Sequence, residues 1–426
     1  MGRCDVAPTV CVGKNYVDSA SLETVLQTIT NKNFEAIIPN YISLEQYKKD
    51  GGYKISNKIK KGELSNKQII NSLKDSGLKG KGGAGFPTGM KWEIVSKNKG
   101  KKYVAVNGDE GEPGTFKDRS YLEKDPHRFL EGALIASLFL QASNVYIYMR
   151  DEYPSVIKIL KDEIIKLENE SIIPQGHFIL RRGAGAYICG EESAMIESIE
   201  GKRGLPRHRP PYVAEVGLFN APTLTNNIET LFWIRDIIEK GPVWFAEKGV
   251  DGKKGFHSFS VSGRVKNPGV KVAPAGVTIQ QLIDDYCGGM VDNHLFKGYL
   301  PGGASGGILP AKMNNIPLDY GSKELTDAGC FLGSAAIVVL SDKDNMKDVA
   351  LNLLRFFEEE SCGQCTPCRV GTEKTVKLMK EKIWNKAKLI DLSEVMSQAS
   401  ICGLGQAATN PLNSVLKYFE EEISYE

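Results

Sequence analysis

Three cysteines crowd into the seven residues CGQCTPC, from Cys362 to Cys368, and this crowding is the strongest constraint on what the chain can become. Thiolates at two-residue spacings, presented by one tight loop, suit three irons of a cubane cluster. Thr366 and Pro367 between them favour a turn whose backbone amides are free to donate to cluster sulfurs. A fourth ligand has to come from elsewhere, and Cys402 in SICGLGQ is the candidate, since a helix pair could fold it back over the loop. Structural zinc sites usually divide their ligands into two separated CxxC or His-containing groups. The spacing therefore favours [4Fe-4S], with zinc and free thiols as the alternatives. The chain has nine cysteines, an odd number that is not spread like a disulfide framework. Cys189, Cys287 and Cys330 stand alone in apolar or glycine-rich settings and read as small buried residues.

A length of 426 residues exceeds what one compact core supports, so several domains are expected. The 54 basic against 52 acidic residues give a formal charge of +2, which offers no sequence-wide attraction to nucleic acid or an anionic membrane. No apolar run reaches the roughly 18 to 20 residues that span a bilayer. The first residues lack a secretory pattern, leaving the cytoplasm as the expected compartment.

Along the chain, residues 17–72 are polar and lysine-rich with helical patches such as Asn66 to Leu73, and read as an adaptor. From residue 73 to 250, strand-like runs (Tyr103 to Val106, Val145 to Met149, His177 to Leu180) alternate with helical ones (Arg128 to Gln141, Ser155 to Leu167), the pattern of an α/β layered domain. Residues 251–343 hold short strand patterns, Ser258 to Val265 and Gly333 to Leu340, around a helical Thr278 to Asp285, as in a small α+β module. Residues 344–426 carry helical patterns at Asp348 to Glu359, Thr372 to Lys382, Leu389 to Gln398 and Pro411 to Glu422, a C-terminal bundle.

Glycine loops supply the second chemical signal. Gly80, Gly82 and Gly85 in GLKGKGGAGFPTGMKW satisfy GxGxxG, yet the residues before them, Gln68 to Leu78, are patterned as a helix and not the strand that a dinucleotide fingerprint should follow. Exposed glycine amides flanked by Lys79, Lys81 and Lys91 still form an anion nest suited to a flavin phosphate, the alternative being a turn with solvated lysines. NGDEGEPGTFKDR places Asn107, Asp109, Glu110 and Glu112 within six residues after a strand-like run. Such acids repel one another unless they serve as acceptors or simply face solvent. RRGAGAYICGEESA adds Gly190, Glu191 and Glu192, and TLTNNIET adds Asn226 and Asn227, whose amides both donate and accept. Polar, glycine-rich loops gathered at strand ends are where a nucleotide site forms.

These motifs, with PGGASGG and CGQCTPCRVGTEK, make the chain resemble the flavoprotein (51-kilodalton type) subunits of respiratory complex I and their relatives in NAD-reducing hydrogenases and formate dehydrogenases, from about Leu73 to Ile423. The resemblance implies a multidomain α/β fold: a Rossmann-like FMN- and NAD-binding domain, a small β-grasp (ubiquitin-like) domain, and a helical bundle holding a [4Fe-4S] cluster on Cys362, Cys365, Cys368 and Cys402. It implies that Gly80, Gly82, Gly83 and Lys91 hold the FMN phosphate, with Asn107, Asp109, Gly190, Asn226 and Asn227 around the flavin. Glu110, Glu112, Glu191 and Glu192 would border flavin and nicotinamide nucleotide, while Phe86 and Tyr212 occupy positions where the family stacks aromatics on NAD. Hydride would pass between NAD(H) and FMN and single electrons onward to the cluster. No general acid or base is needed, and Glu112 serves as the nicotinamide-orienting group. Acids near the ribose would repel a 2′-phosphate, giving NAD preference over NADP.

Within the family, IYMRDEYPSVIKIL, ESIEGKRGLPRHRPPYV, SFSVSGRVKNPGVK and the short Cys368 to Cys402 spacing look most like the β (diaphorase) subunit of NAD-dependent, molybdenum-containing formate dehydrogenase. The alternative is a complex I or NAD-reducing hydrogenase subunit. GRCDVAP is similar to the tail of a thioredoxin-like [2Fe-2S] domain, so residues 1–16 read as a remnant of one. The implied partners are a molybdenum-containing catalytic subunit and a thioredoxin-like [2Fe-2S] subunit.

Overall fold

The computed structural model describes residues 1–425. Its parallel sheet has four strands in the order Phe178–Arg182, Asn144–Met149, Tyr103–Gly108, Thr223–Asn227. Parallel strands covered on both faces read as continuous apolar runs, which is why YVAV and VYIYM carry so little polar alternation. Val104, Val106, Val145 and Ile147 face a core built largely from helices Pro126–Leu140 and Ile228–Lys240. Their neighbours Tyr103, Ala105, Tyr146 and Tyr148 face helix Glu192–Ile199 and the C-terminal bundle. Helix Pro126–Leu140 starts where the sequence signals it: Asp125 caps the Arg128 amide and Pro126 follows at the first turn. Gly132 lets this helix close on Ile228–Lys240, because a β-carbon there would stand 2.0 Å from the Leu231 carbonyl oxygen.

Strand order runs outward on both sides from Tyr103–Gly108. The crevice between its carboxyl end and that of Thr223–Asn227 is thus a topological switch point, where open α/β sheets hold ligands. In register, Asn107 stands opposite Asn227.

The second sheet is mixed, with strands in the order Leu309–Pro310, Phe296–Leu300, Ala336–Ser341, Phe256–Gly263, Gly269–Pro274. Its central pair is parallel and its other pairings antiparallel, which is the β-grasp order. Three of these strands were not legible in sequence: Gly269–Pro274, Phe296–Leu300 and Leu309–Pro310 are short and interrupted by Gly, Lys and Pro.

Helices Met346–Glu360, Thr366–Met379, Lys386–Ala399, Gly403–Ala407 and Asn410–Tyr418 form the C-terminal bundle. One expectation is corrected by the structure: the second helix begins at Thr366, inside the cysteine motif, and not at Thr372. Pro367 is the reason, since a residue with fixed φ and no N–H is suited to a first helical turn. Cys368 is therefore on a helix and not in a loop.

At the amino end a hairpin, Val10–Val12 with Asn15–Val17, leads to short helices over residues 22–75. They are tied to the α/β domain by the buried Glu131 carboxylate, which accepts from Tyr47 Oη (2.7 Å) and the amides of Tyr53 (2.8 Å) and Ser56 (3.3 Å). No helix among the described residues is long and apolar enough to cross a membrane.

Candidate functional site

A cavity of about 680 Å³ opens at the switch point, within the range of small-molecule sites. Asn107 and Asn227 line it from the strand ends, Gly82 and Gly83 from the first glycine loop, and Asp109 to Glu112 and Gly190 to Glu191 from the loops that follow two strands. A second cavity of about 260 Å³ shares Gly82, Asn107, Gly190, Glu191 and Asn227, and adds Gly80, Phe86, Lys91, Glu192 and Asn226. The nucleotide-site residues expected from sequence line one of the two, except Lys79, which lines neither, and Tyr212, which is 55% exposed on the Arg209 to Tyr212 turn.

The first glycine loop joins helix Asn66–Asp75 to helix Thr88–Lys97, so it is no Rossmann turn. Two of its three flanking lysines, Lys79 and Lys81, are engaged elsewhere than the sequence suggested. Lys81 Nζ donates to the Phe256 carbonyl and to His257 Nδ1, both at 2.6 Å, and His257 Nε2 donates to Asp319 Oδ1 at 2.8 Å. Lys79 Nζ pairs with Asp319 Oδ2 at 3.0 Å. Both ammonium groups thus bolt the loop to the β-grasp domain, because a buried charge needs partners more than a solvated ligand site does. Burial, with Lys81 nearby, holds His257 neutral and down to about 4. Burial also brings Lys81 down to about 8, against the pull of Glu229 and Asp319.

The crowded acids are sorted by what they touch. The Glu110 carboxylate accepts the amides of Asp118 (2.9 Å) and Arg119 (3.2 Å) and the hydroxyl of Tyr153 (3.0 Å), so it serves the start of helix Lys117–Lys124. Asp109 is different: burial lifts it to about 7, and its Oδ2 has no hydrogen-bond partner. An orphaned buried carboxylate oxygen beside the cavity is what a ligand donor would satisfy. Glu112 is raised by burial, against the Ser305 amide (2.8 Å) and hydroxyl (2.6 Å) that donate to Oε1.

Glu191 caps helix Glu192–Ile199 through the amides of Ser193 (2.9 Å) and Ala194 (3.1 Å) and pairs with Arg209. Glu192 pairs with Lys91 at 2.6 Å and accepts from Thr225 Oγ1. Burial alone would raise it, but Lys91, Thr225 and Arg209 together hold it below the ordinary carboxylate range. Lys91 is thus shared between an acid and the wall of the smaller cavity. Thr88 Oγ1, buried in that same wall without a partner, was not singled out in sequence. Neither were Tyr187, Ser305 and Asn410, which line the larger cavity. The PGGASGG motif was the available signal for Ser305.

Cys362, Cys365, Cys368 and Cys402 together line one small cavity, as expected. Cys365 and Cys402 each occupy the cap position before a helix, Thr366–Met379 and Gly403–Ala407. Free amides at helix N-termini stabilise thiolate charge. The four thiols border one space, supplied by the loop at Cys362, the start of helix Thr366–Met379 and the turn at Cys402. Four cysteines around one cavity are the donor set that a [4Fe-4S] cluster takes. The larger cavity likewise fits a flavin nucleotide, having the volume, the orphaned Asp109 oxygen and glycine backbone at close approach.

Comparison with known proteins agrees. Residues 73–236 match the Nuo51 FMN-binding domain, and residues 348–426 match the NADH-ubiquinone oxidoreductase-F iron-sulfur binding region. An NADH-quinone oxidoreductase subunit of Rhizobium meliloti (strain 1021) is 39% identical over 401 residues, covering 91% of this chain and 94% of the relative. Its counterpart in Aquifex aeolicus (strain VF5), also an NADH-quinone oxidoreductase subunit, is 38% identical, covering 90% and 91%. The mitochondrial NADH dehydrogenase [ubiquinone] flavoprotein 1 of Dictyostelium discoideum is 39% identical, covering 87% and 80%. A chain of an NAD+-reducing [NiFe]-hydrogenase, solved in the H2-reduced state, superposes with a TM-score of 0.84 at 30% identity, over 99% of this chain and 75% of that one. The chain belongs to the complex I 51-kilodalton flavoprotein family, the FMN- and [4Fe-4S]-binding, NADH-reactive subunits of NADH-dehydrogenase-type complexes.

Proposed function

We propose that this chain exchanges hydride with NAD(H) at the switch-point cavity and passes electrons singly to the cysteine cavity, as the diaphorase subunit of a larger redox enzyme. The observation that carries the reading is a shared wall: Ile188 and Leu404 line both cavities. FMN, when bound, supplies the conversion between two-electron and one-electron chemistry. The residues supply position and field. Asn107, Asp109 and Asn227 would hold the flavin, with Gly80, Gly82, Gly83 and Lys91 toward its phosphate and Gly190 and Asn226 beside it. Glu112 would orient the nicotinamide, and Phe86 and Tyr212 would stack on the dinucleotide. Glu192, kept ionised beside Lys91, would disfavour a 2′-phosphate. Cys362, Cys365, Cys368 and Cys402 would ligate the cluster.

The partner is a finer question. The relatives are named as complex I subunits and an NAD+-reducing hydrogenase, which supports assembly of that type more directly than assembly with a formate-oxidising molybdenum subunit. The formate reading rests on the phrases around Ile147, Glu197 and Ser258, and the thioredoxin-like [2Fe-2S] partner on GRCDVAP. Mass identification after a native pull-down decides: a molybdenum subunit with formate-dependent NAD reduction supports the formate reading, and a [NiFe] or quinone-reducing partner supports the alternative. The core reading is tested by anaerobic reconstitution, which should yield both flavin and cluster absorbance bleached by NADH. Protein that holds iron yet never retains FMN overturns it.

A further inference from the structure

The PGGASGG loop belongs to the β-grasp domain, but its contacts run in two other directions. Toward the α/β domain, the Ser305 amide and hydroxyl both donate to Glu112 Oε1, at 2.8 and 2.6 Å. Toward the bundle, Asn410 Nδ2 donates to the Ser305 carbonyl at 2.8 Å, and Ser414 Oγ accepts the Ile308 amide at 2.9 Å. Both bundle residues sit on the one helix Asn410–Tyr418. Glycine is required for this fit. Gly303 has φ +80°, and a β-carbon there would lie 2.7 Å from the Glu112 carboxyl carbon. Gly307 has φ +82°, and its β-carbon would lie 2.9 Å from Ser414 Oγ. L side chains avoid that region of backbone space.

Glu112, Ser305 and Asn410 all line the larger cavity. A buried carboxylate has few orientations open to it once two donors fix one oxygen. Ser334 of the same domain also hydrogen-bonds the carboxylate, so Ser305 and Ser334 together set its orientation, and the Ser305 loop is in turn held by the helix.

We propose that Ser305 and Asn410 are positioning residues for the nucleotide site, forming a relay through which the cluster bundle sets the orientation of Glu112. The inference rests on the reading of Glu112 as the nicotinamide-orienting group. It makes the β-grasp loop a working wall of the site and gives the bundle a second task besides holding iron: the affinity for nicotinamide nucleotide depends on helix Asn410–Tyr418, which carries none of the cluster cysteines.

Equilibrium binding of NAD+ to the reconstituted holoprotein, by calorimetry, tests this with Glu112→Gln, Ser305→Ala, Ser305→Thr and Asn410→Ala. Losing a charge-assisted hydrogen bond corresponds to about tenfold in affinity, so Ser305→Ala should weaken NAD+ binding by about that factor and Asn410→Ala by about threefold. Ser305→Thr, which keeps the hydroxyl, should bind close to the parent. FMN content and cluster absorbance should stay constant, and KM for NADH should rise while kcat stays within about twofold. If Glu112→Gln weakens binding while Ser305→Ala and Asn410→Ala do not, the relay fails and the reading of Glu112 stands. If Glu112→Gln has no effect, both fail. Loss of FMN or cluster from Asn410→Ala would mark a purely structural contact and overturn the assignment.

Discussion

Ile188 and Leu404 stand in the walls of both cavities, one contributed by the turn after the third parallel strand of the chain and the other by the short helix behind Cys402. Two apolar side chains from domains far apart in sequence thus separate a nucleotide-sized space from the cavity lined by the four cysteines. Trimming Leu404 to alanine removes a buried contact, for which a cost of about 3 kcal/mol is expected. Leu404→Ala should melt at lower temperature and lose its cluster absorbance in air several-fold faster than the parent, with FMN retention little changed. Equal cluster lifetimes would argue that this wall does not seal the cysteines.

Cysteine replacement reads the metal site directly. Each of Cys362→Ser, Cys365→Ser, Cys368→Ser and Cys402→Ser should purify with far less iron and sulfide than the parent while still binding FMN, because the two cavities have separate linings apart from the shared wall. Undiminished iron in Cys402→Ser would remove it from the ligand set.

Nucleotide preference should follow Glu192. Neutralising it in Glu192→Gln removes the charge expected to repel a 2′-phosphate and also frees Lys91, its partner at 2.6 Å. The ratio of kcat/KM for NADH over NADPH should fall by about tenfold, equivalent to about 1.4 kcal/mol. An unchanged ratio in steady-state assays counts against the assignment.

Acid sensitivity should come in part from the bolt between the flavin loop and the β-grasp domain. His257 has a folded value of about 4 against an ordinary 6.5, set by burial and by Lys81. Between those values the unfolded chain binds a proton that the folded chain refuses, so stability falls as pH drops from 6.5 to about 4. The group accounts for about 3 kcal/mol over that window. Asp319 is held to about 2, against the rise that burial alone would cause, by the His257 N–H and the Lys79 ammonium. Its contribution is complete above pH 3.8 and is lost as pH falls toward 2. His257→Gln keeps a donor and an acceptor without titrating, so chemical denaturation between pH 4 and 6.5 should show a flatter pH dependence. A slope identical to the parent would assign the acid sensitivity elsewhere.

The cysteine spacing, the apolar runs YVAV and VYIYM and the glycine loops were sufficient to read which four cysteines share a cavity, the parallel sheet and the polar loops at its strand ends, because each depends on residues close together in the chain. Local signals also misled. Lys79 and Lys81 looked like anion ligands from their place among glycines, and Glu110 like a solvated or ligand-facing acid; only the packed structure supplies the His257, Asp319 and Tyr153 that claim them. The same holds for Pro367, read as a turn until a helix formed around it. Ser305, Asn410, Ile188 and Leu404 entered the site through contacts between domains. A sequence records which groups can pair, but a buried charge or a cavity wall is settled by whichever partner the tertiary fold brings within about 3 Å, and that choice is non-local.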